Sequence, residues 1–149
     1  MTIPASADLG VLSIRTAVGP PAVYAVLCGL TNLGINETIS TSETFVRDCD
    51  TPNRPGGRKI RNQGYSCTIT ASGQDNIDLY ETYADALGVR QVYQIDLRED
   101  DGSDTGASMG LLTVTGIMTA RNRSISDESP GTLEVTFEAE TVPVWVPVT

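Results

Sequence analysis

Asp104-Thr105-Gly106-Ala107 is the tetrapeptide in this chain whose residue types and order come closest to a reaction. An Asp-Thr-Gly turn can supply one of two aspartates that share a proton and activate water, but that chemistry needs an apolar cradle. Here the turn follows Glu99-Asp100-Asp101-Gly102-Ser103, a run that water solvates. The same acids do not make a calcium loop, because no glycine falls at the sixth loop position and no glutamate closes the loop. Pro55-Gly56-Gly57-Arg58-Lys59 has glycines and bases but lacks the spacing and the hydroxyl residue of a phosphate-binding loop. Histidine is absent, so no imidazole can activate a serine or cysteine. Cys28, Cys49 and Cys67 are odd in number and form no Cys-x-x-Cys motif, which points to neither a disulfide framework nor a zinc site. Trp145 is expected to pack on a core or an interface. No catalytic residue, metal or cofactor is assigned.

What must be positioned is therefore a surface. The 149 residues suit one domain that buries roughly 68–70% of its unfolded surface, and 40% hydrophobic with 19% charged residues is a globular composition. A net charge of −9 argues against affinity for nucleic acid, which rests on basic groups that displace phosphate counterions. The start of the chain lacks the basic and apolar runs of a signal peptide, and no stretch approaches ~18 apolar residues. A soluble, cytosolic protein without membrane insertion is expected.

The most regular stretch is Thr132–Glu140. Leu133, Val135, Phe137 and Ala139 alternate with Thr132, Glu134, Thr136, Glu138 and Glu140, the period of a strand with one dry and one wet face. Tyr65–Gly73 alternates likewise, with Tyr65, Cys67, Ile69 and Ala71 opposed to Ser66, Thr68, Thr70 and Ser72. Leu30–Ser40 sets Leu33 and Ile35 against Asn32 and Asn36 and slips near Glu37, as a bulge would cause. Val11–Arg15 and Ala22–Leu27 read as a hairpin, and Val89–Leu97 and Met109–Ala120 as further strands, with Arg121–Gly131 a polar turn. Residues 1–10 read as a flexible arm, and residues 141–149, with Pro143 and Pro147, as an edge strand or extended arm. One helix follows Asp75, which can cap it; Ile77, Tyr80, Ala84 and Leu87 recur at helical spacing and Gly88 can end it. The fold class is mainly β, an antiparallel sandwich or barrel with one flanking helix.

Thr41–Gly64 stands apart. It is rich in glycine and proline and reads as a long loop. Arg47, Arg54, Arg58, Lys59 and Arg61 outweigh Glu43, Asp48 and Asp50, so the segment carries +2 while the remaining five bases and sixteen acids leave −11. A basic loop on an acidic body favours head-to-tail contacts, hence rings or stacked filaments.

The order Tyr24–Thr41 (YAVLCGLTNLGINETIST), basic Gly/Pro loop, Tyr65–Gly73, helix Asp75–Leu87, then Gly110–Ala120 and Gly131–Glu140 resembles the tail tube (major tail) proteins of phages with long non-contractile tails and of gene transfer agents. The resemblance spans about Val11 to Glu140. It implies a structural virion protein and no enzyme: hexameric rings with a continuous inner β-barrel, stacked through the long loop, with DNA passing down the lumen without tight binding. It implies polar faces of Leu30–Ser40, Tyr65–Gly73, Gly110–Ala120 and Thr132–Glu140 lining the channel, with Asn32, Asn36, Ser66, Thr68, Thr70, Ser72, Glu134, Thr136, Glu138 and Glu140 on the wall. Three glutamates in each of six subunits would make eighteen carboxylates per ring. Arg47, Arg54, Arg58, Lys59 and Arg61 would stack rings, with Glu99, Asp100, Asp101 and Asp104 as a candidate acceptor. Partners would be further copies and the tail terminator, distal tail and tape-measure proteins, in a tail assembled in the bacterial cytoplasm. Two other readings stay open: a β-sandwich binding, adhesion or capsid-surface module with a ligand cleft, and an aspartic protease dimer built on Asp104.

Overall fold

The structure, a computed structural model, describes residues 6–148. Eight strands pair antiparallel: β1 (Leu9–Ala17), β2 (Val23–Val26), β3 (Leu30–Val46), β4 (Gly57–Gln74), β5 (Arg90–Glu99), β6 (Ala107–Ser126), β7 (Ser129–Ala139) and β8 (Val144–Pro147). They form one sheet in the order β2-β1-β5-β6-β7-β4-β3, with β8 pairing β6. The sheet curls so that β1 meets β3. A 3-10 turn (Ile77–Leu79) and the helix α1 (Tyr80–Ala86) follow β4.

The core is the dry side of that curl. Leu133, Val135 and Phe137 of β7, Cys67, Ile69 and Ala71 of β4, Tyr93 and Ile95 of β5, Val114 and Met118 of β6 and Leu12 and Ile14 of β1 are all buried. The expected alternation in β7 and β4 thus holds residue for residue, because each has a core on one side only. Phe137 meets Tyr93 with ring centroids 4.4 Å apart and tilted by 51°. Trp145 of β8 lies over Gly110, where an added Cβ would come within 2.5 Å of the indole. Two other glycines permit close approach of backbone to backbone. A Cβ on Gly73 would sit 2.0 Å from the Gly29 carbonyl oxygen, and Gly29 itself has φ +100°. Gly73→Ala is expected to destabilise the fold by about 1–3 kcal/mol, because backbone and no flexible side chain must yield. A thermal melt checks it; an unchanged Tm would refute the crowding.

Several expectations need correction. Residues 41–64 are not a loop but an outstretched hairpin: Thr41 to Val46 continue β3, Gly57 to Gly64 continue β4, and only residues 47–56 connect them. β-branched Thr41, Thr44, Val46 and Ile60 suit strand, while the polar composition concealed it. The register of β3 shifts at Leu30/Asn32 and Ser40/Thr41 and not near Glu37. The alternation fades there because β3 leaves the core past Leu33, and Ile35 and Ile39 are exposed. β6 runs through residues 121–126, taken from sequence as a turn. Of residues 1–10, residues 1–5 lie outside the described residues; Leu9 and Gly10 belong to β1, and the Asp8 N–H donates to the Arg98 carbonyl at 3.0 Å. Asn76, and not Asp75, caps the 3-10 turn, its side-chain oxygen accepting from the Asp78 N–H at 3.1 Å. Leu79 faces the core, Tyr83 and Ala86 are buried, and the expected stripe of Ile77, Tyr80, Ala84 and Leu87 faces outward. Gly88, at φ +76°, ends the helix as expected.

Candidate functional site

The wet side of β3, β4, β7 and the far half of β6 is one continuous polar surface. Register sets its rows: Asn32 pairs Ser72, Ser72 pairs Glu134 and Glu134 pairs Asn122. The next row runs Gly34, Thr70, Thr136, Ala120, and the third Asn36, Thr68, Glu138, Ile117. Ser66 follows opposite Thr38, with which it shares a hydrogen bond. Nine of the ten residues expected on one wall are therefore brought together: Asn32, Asn36, Ser66, Thr68, Thr70, Ser72, Glu134, Thr136 and Glu138. They share it because every second residue of a strand points the same way and the register keeps those positions aligned. The Thr68 hydroxyl donates to Glu138 Oε2 at 3.0 Å. From β3 to β6 these rows hold neither Lys nor Arg, so Glu134 and Glu138 set the charge there; Arg90 of β5, which pairs Ile117, continues the third row.

Glu140, the tenth, continues the alternation of β7 but is engaged by a base. It lies beyond the end of β7, where its N–H donates to the Thr115 carbonyl at 2.9 Å. Its carboxylate accepts from Arg90 Nε at 2.8 Å, which offsets its charge. The β6 contribution also differs from expectation. Ala120, Asn122 and Ser124 extend the polar face, while Thr113 and Thr115 stand farther along the strand, opposite Gln94 and Val92. Asn122 and Ser124 escaped the sequence reading, although their alternation with Arg121 and Arg123 was the available signal.

Those two arginines point to the core side, where α1 begins. Their guanidinium carbons lie 5.2 Å and 4.7 Å from the centroid of the Tyr80 ring. Arg123 Nε is 2.9 Å from Asp75 Oδ2, in an ion pair whose side chains are mostly buried. Burial, and then the Asp75 charge, push Tyr83 up to about 12. The cluster anchors the start of the helix to β6. At the same end, a concavity of about 750 Å³ is lined by Asn32, Ser72, Asn122, Ser124, Thr132 and Glu134 among others. Amides and hydroxyls dominate it, and no nucleophile stands beside a base.

The basic residues sit together on the hairpin arm and its tip. Lys59 pairs Thr44 and Arg61 pairs Ser42, so both share one face; Arg58 pairs Phe45 and lies on the other, 3.0 Å from Glu43. Arg47 and Arg54 occupy the connection. Asp104 lies in an exposed turn, where Arg98 Nη1 donates to the Thr105 carbonyl at 2.9 Å. That is a hydrated setting, unlike the apolar cradle that an aspartate pair requires. No described helix is long and apolar enough to cross a membrane.

This architecture recurs in solved structures. The chain superposes with a TM-score of 0.62 on a protein from the tail of an empty gene transfer agent particle refined with C6 symmetry, at 13% identity over 91% of this chain and 95% of that one. For the SPP1 tail tube the TM-score is 0.64, at 9% identity over 97% and 80%. A chain of the sheath–tube complex of an extracellular contractile injection system (PVC) gives 0.63, at 15% identity over 97% and 93%. The chain has the tail-tube fold. No protein-family model and no curated protein matches it.

Proposed function

We propose that the chain is the structural subunit of a phage-type tail tube, in which six copies close a ring, rings stack, and duplex DNA passes down the lumen. The observation that carries this reading is the base-free face of Asn32, Asn36, Ser66, Thr68, Thr70, Ser72, Glu134, Thr136 and Glu138 on a tail-tube fold. Duplex DNA carries about one negative charge per ~1.7 Å, and charges interact over ~8 Å at physiological salt. A wall of hydroxyls, amides and scattered carboxylates repels it weakly, and its nearest cation, Arg90, is already paired with Glu140. With Glu140 held by Arg90, two free carboxylates per subunit remain, twelve in a ring of six. The role is structural and not enzymatic. Tail-terminator, distal tail and tape-measure proteins are the further partners in this reading, and the virion tail its place.

The arm of residues 41–64 is the stacking element in this proposal. Arg47, Arg54, Lys59 and Arg61 make no ion pair among the described residues, which leaves their charges free for a neighbour. Neutralising Arg54, Arg58, Lys59 and Arg61 to glutamine is expected to leave folded subunits and rings but to abolish long tubes. Negative-stain images of the purified variant check it: tubes of unchanged length sink the arm assignment. A strictly monomeric wild-type protein at high concentration would sink the tube reading itself.

A further inference from the structure

Opposite the side that buries Tyr83 and Ala86, the segment of residues 77–89 exposes a second set of apolar residues. Ile77 is 70% exposed, and Tyr80, Leu87 and Val89 are exposed with it. Asp78, Glu81 and Asp85 are exposed on the same segment, and from Asp75 to Val89 there is no Lys or Arg. Arg121 and Arg123, which border Tyr80 from β6, turn toward its ring, and Arg123 pairs with Asp75. The outcome is an apolar stripe edged by carboxylates.

The arm is its complement. Phe45 is 73% exposed, Val46 and Ile60 are exposed, and Phe45 and Ile60 share a face because Phe45 pairs Arg58 while Ile60 pairs Glu43. Arg58 shares that face, paired with Glu43, while Lys59 and Arg61 line the opposite face of the same two-stranded arm and Arg47 and Arg54 its tip. Neither surface has a reason to be apolar in a lone subunit, and their net charges are opposite in sign. The acidic turn of residues 99–106 is a poorer match. It exposes no large apolar side chain, and two of its three aspartates are engaged locally, Asp100 by the Gly102 N–H and Asp101 by the Ser103 N–H and hydroxyl. An arm seated there would leave Phe45 and Ile60 in water.

Placement decides whose arm is bound. The arm leaves the Gly57 end of β4, whereas the 3-10 turn and α1 follow its Gln74 end. Seventeen residue steps separate those ends, up to about 55 Å of strand. A subunit therefore cannot seat its own arm on the start of its own helix segment, and a donor at one end with an acceptor at the other repeats head to tail. We propose that the exposed face of residues 77–89 is the acceptor for the basic arm of a second copy in the next ring. This rests on the arm being the stacking element.

Lys59 is the only lysine in the chain, which makes the contact directly readable. Wild-type tubes treated with a zero-length carbodiimide and mapped by peptide mass spectrometry are expected to join Lys59 to Asp78, Glu81 or Asp85. A junction to the turn of residues 99–106 instead, or no Lys59 junction in intact tubes, overturns the assignment. Glu81→Lys with Asp85→Lys should shorten tubes at least about tenfold while rings persist, and adding Lys59→Glu with Arg61→Glu should restore length. Shortening that the swap does not relieve also overturns it. Full-length tubes from the α1 variant, while the neutral-arm variant still fails to stack, remove the acceptor alone. Full-length tubes from the neutral-arm variant remove the stacking reading beneath it.

Discussion

Tubes built from a Glu134→Lys/Glu138→Lys double variant are expected to seize duplex DNA instead of passing it. In a ring of six, twelve carboxylates become twelve ammonium groups, all on the face that register aligns across β4 and β7. Cations opposed to phosphates release counterions, and log K falls with log salt by about 0.9 per phosphate neutralised. With only ~6–10 of those contacts made, affinity would drop roughly 10³–10⁵-fold between 50 and 200 mM salt. The wild-type wall should retain nothing with that dependence. Both glutamates are exposed, so folding and ring closure should survive, with the loss of the Thr68 hydrogen bond to Glu138 a minor cost. DNA release from tubes at stepped salt concentrations measures the effect. Lysine tubes that release DNA as fast as wild type would show that this face is not the lumen.

Phe137→Ala is expected to cost about 3–5 kcal/mol, the range for truncating a buried aromatic ring. Phe137 is 1% exposed, stacks against Tyr93 and sits beside Met118 and Ile69 in the register, so the cavity opens where four strands meet. Against a total stability of ~5–15 kcal/mol this is a large fraction, and Tm should fall by about 10 °C. Thr132→Ala, an exposed position on the same strand, should stay within about 0.5 kcal/mol. Chemical denaturation of both variants measures the contrast. Equal effects would mean that β7 does not divide into a dry and a wet face.

These two experiments probe opposite sides of one strand, and that strand was legible before any coordinates. Leu133, Val135 and Phe137 alternate with Glu134, Thr136 and Glu138, and in a strand packed on one side the period of two assigns each residue to its face. Ser66 to Ser72 followed the same rule. The segregation of base into residues 41–64 was equally plain, since composition requires no geometry.

What composition could not reveal was backbone state. Residues 41–64 carry proline and glycine around a short connection, yet most of them pair as strand, because a hairpin solvated on both faces has no hydrophobic period to display. For the same reason residues 121–126 resembled a turn: Arg121 and Arg123 face inward, where Tyr80 and Asp75 take up their guanidinium groups, so the dry side of β6 there is charged. The helix inverted the expectation. Its longer apolar stripe faces out, and only the position of Leu79, Tyr83 and Ala86 over the sheet decided which side is core.

The sequence by itself determined which residues alternate, where charge is segregated, and that no histidine-based chemistry is possible. Tertiary structure alone decided that Asn122 and Ser124 join the polar wall, that Glu140 is claimed by Arg90, and that arm and helix stand at opposite ends of β4. The physical reason is locality. Side-chain period follows from the bonds within one strand, whereas register, ion pairing and the direction of a helix face depend on which distant strands the core brings together.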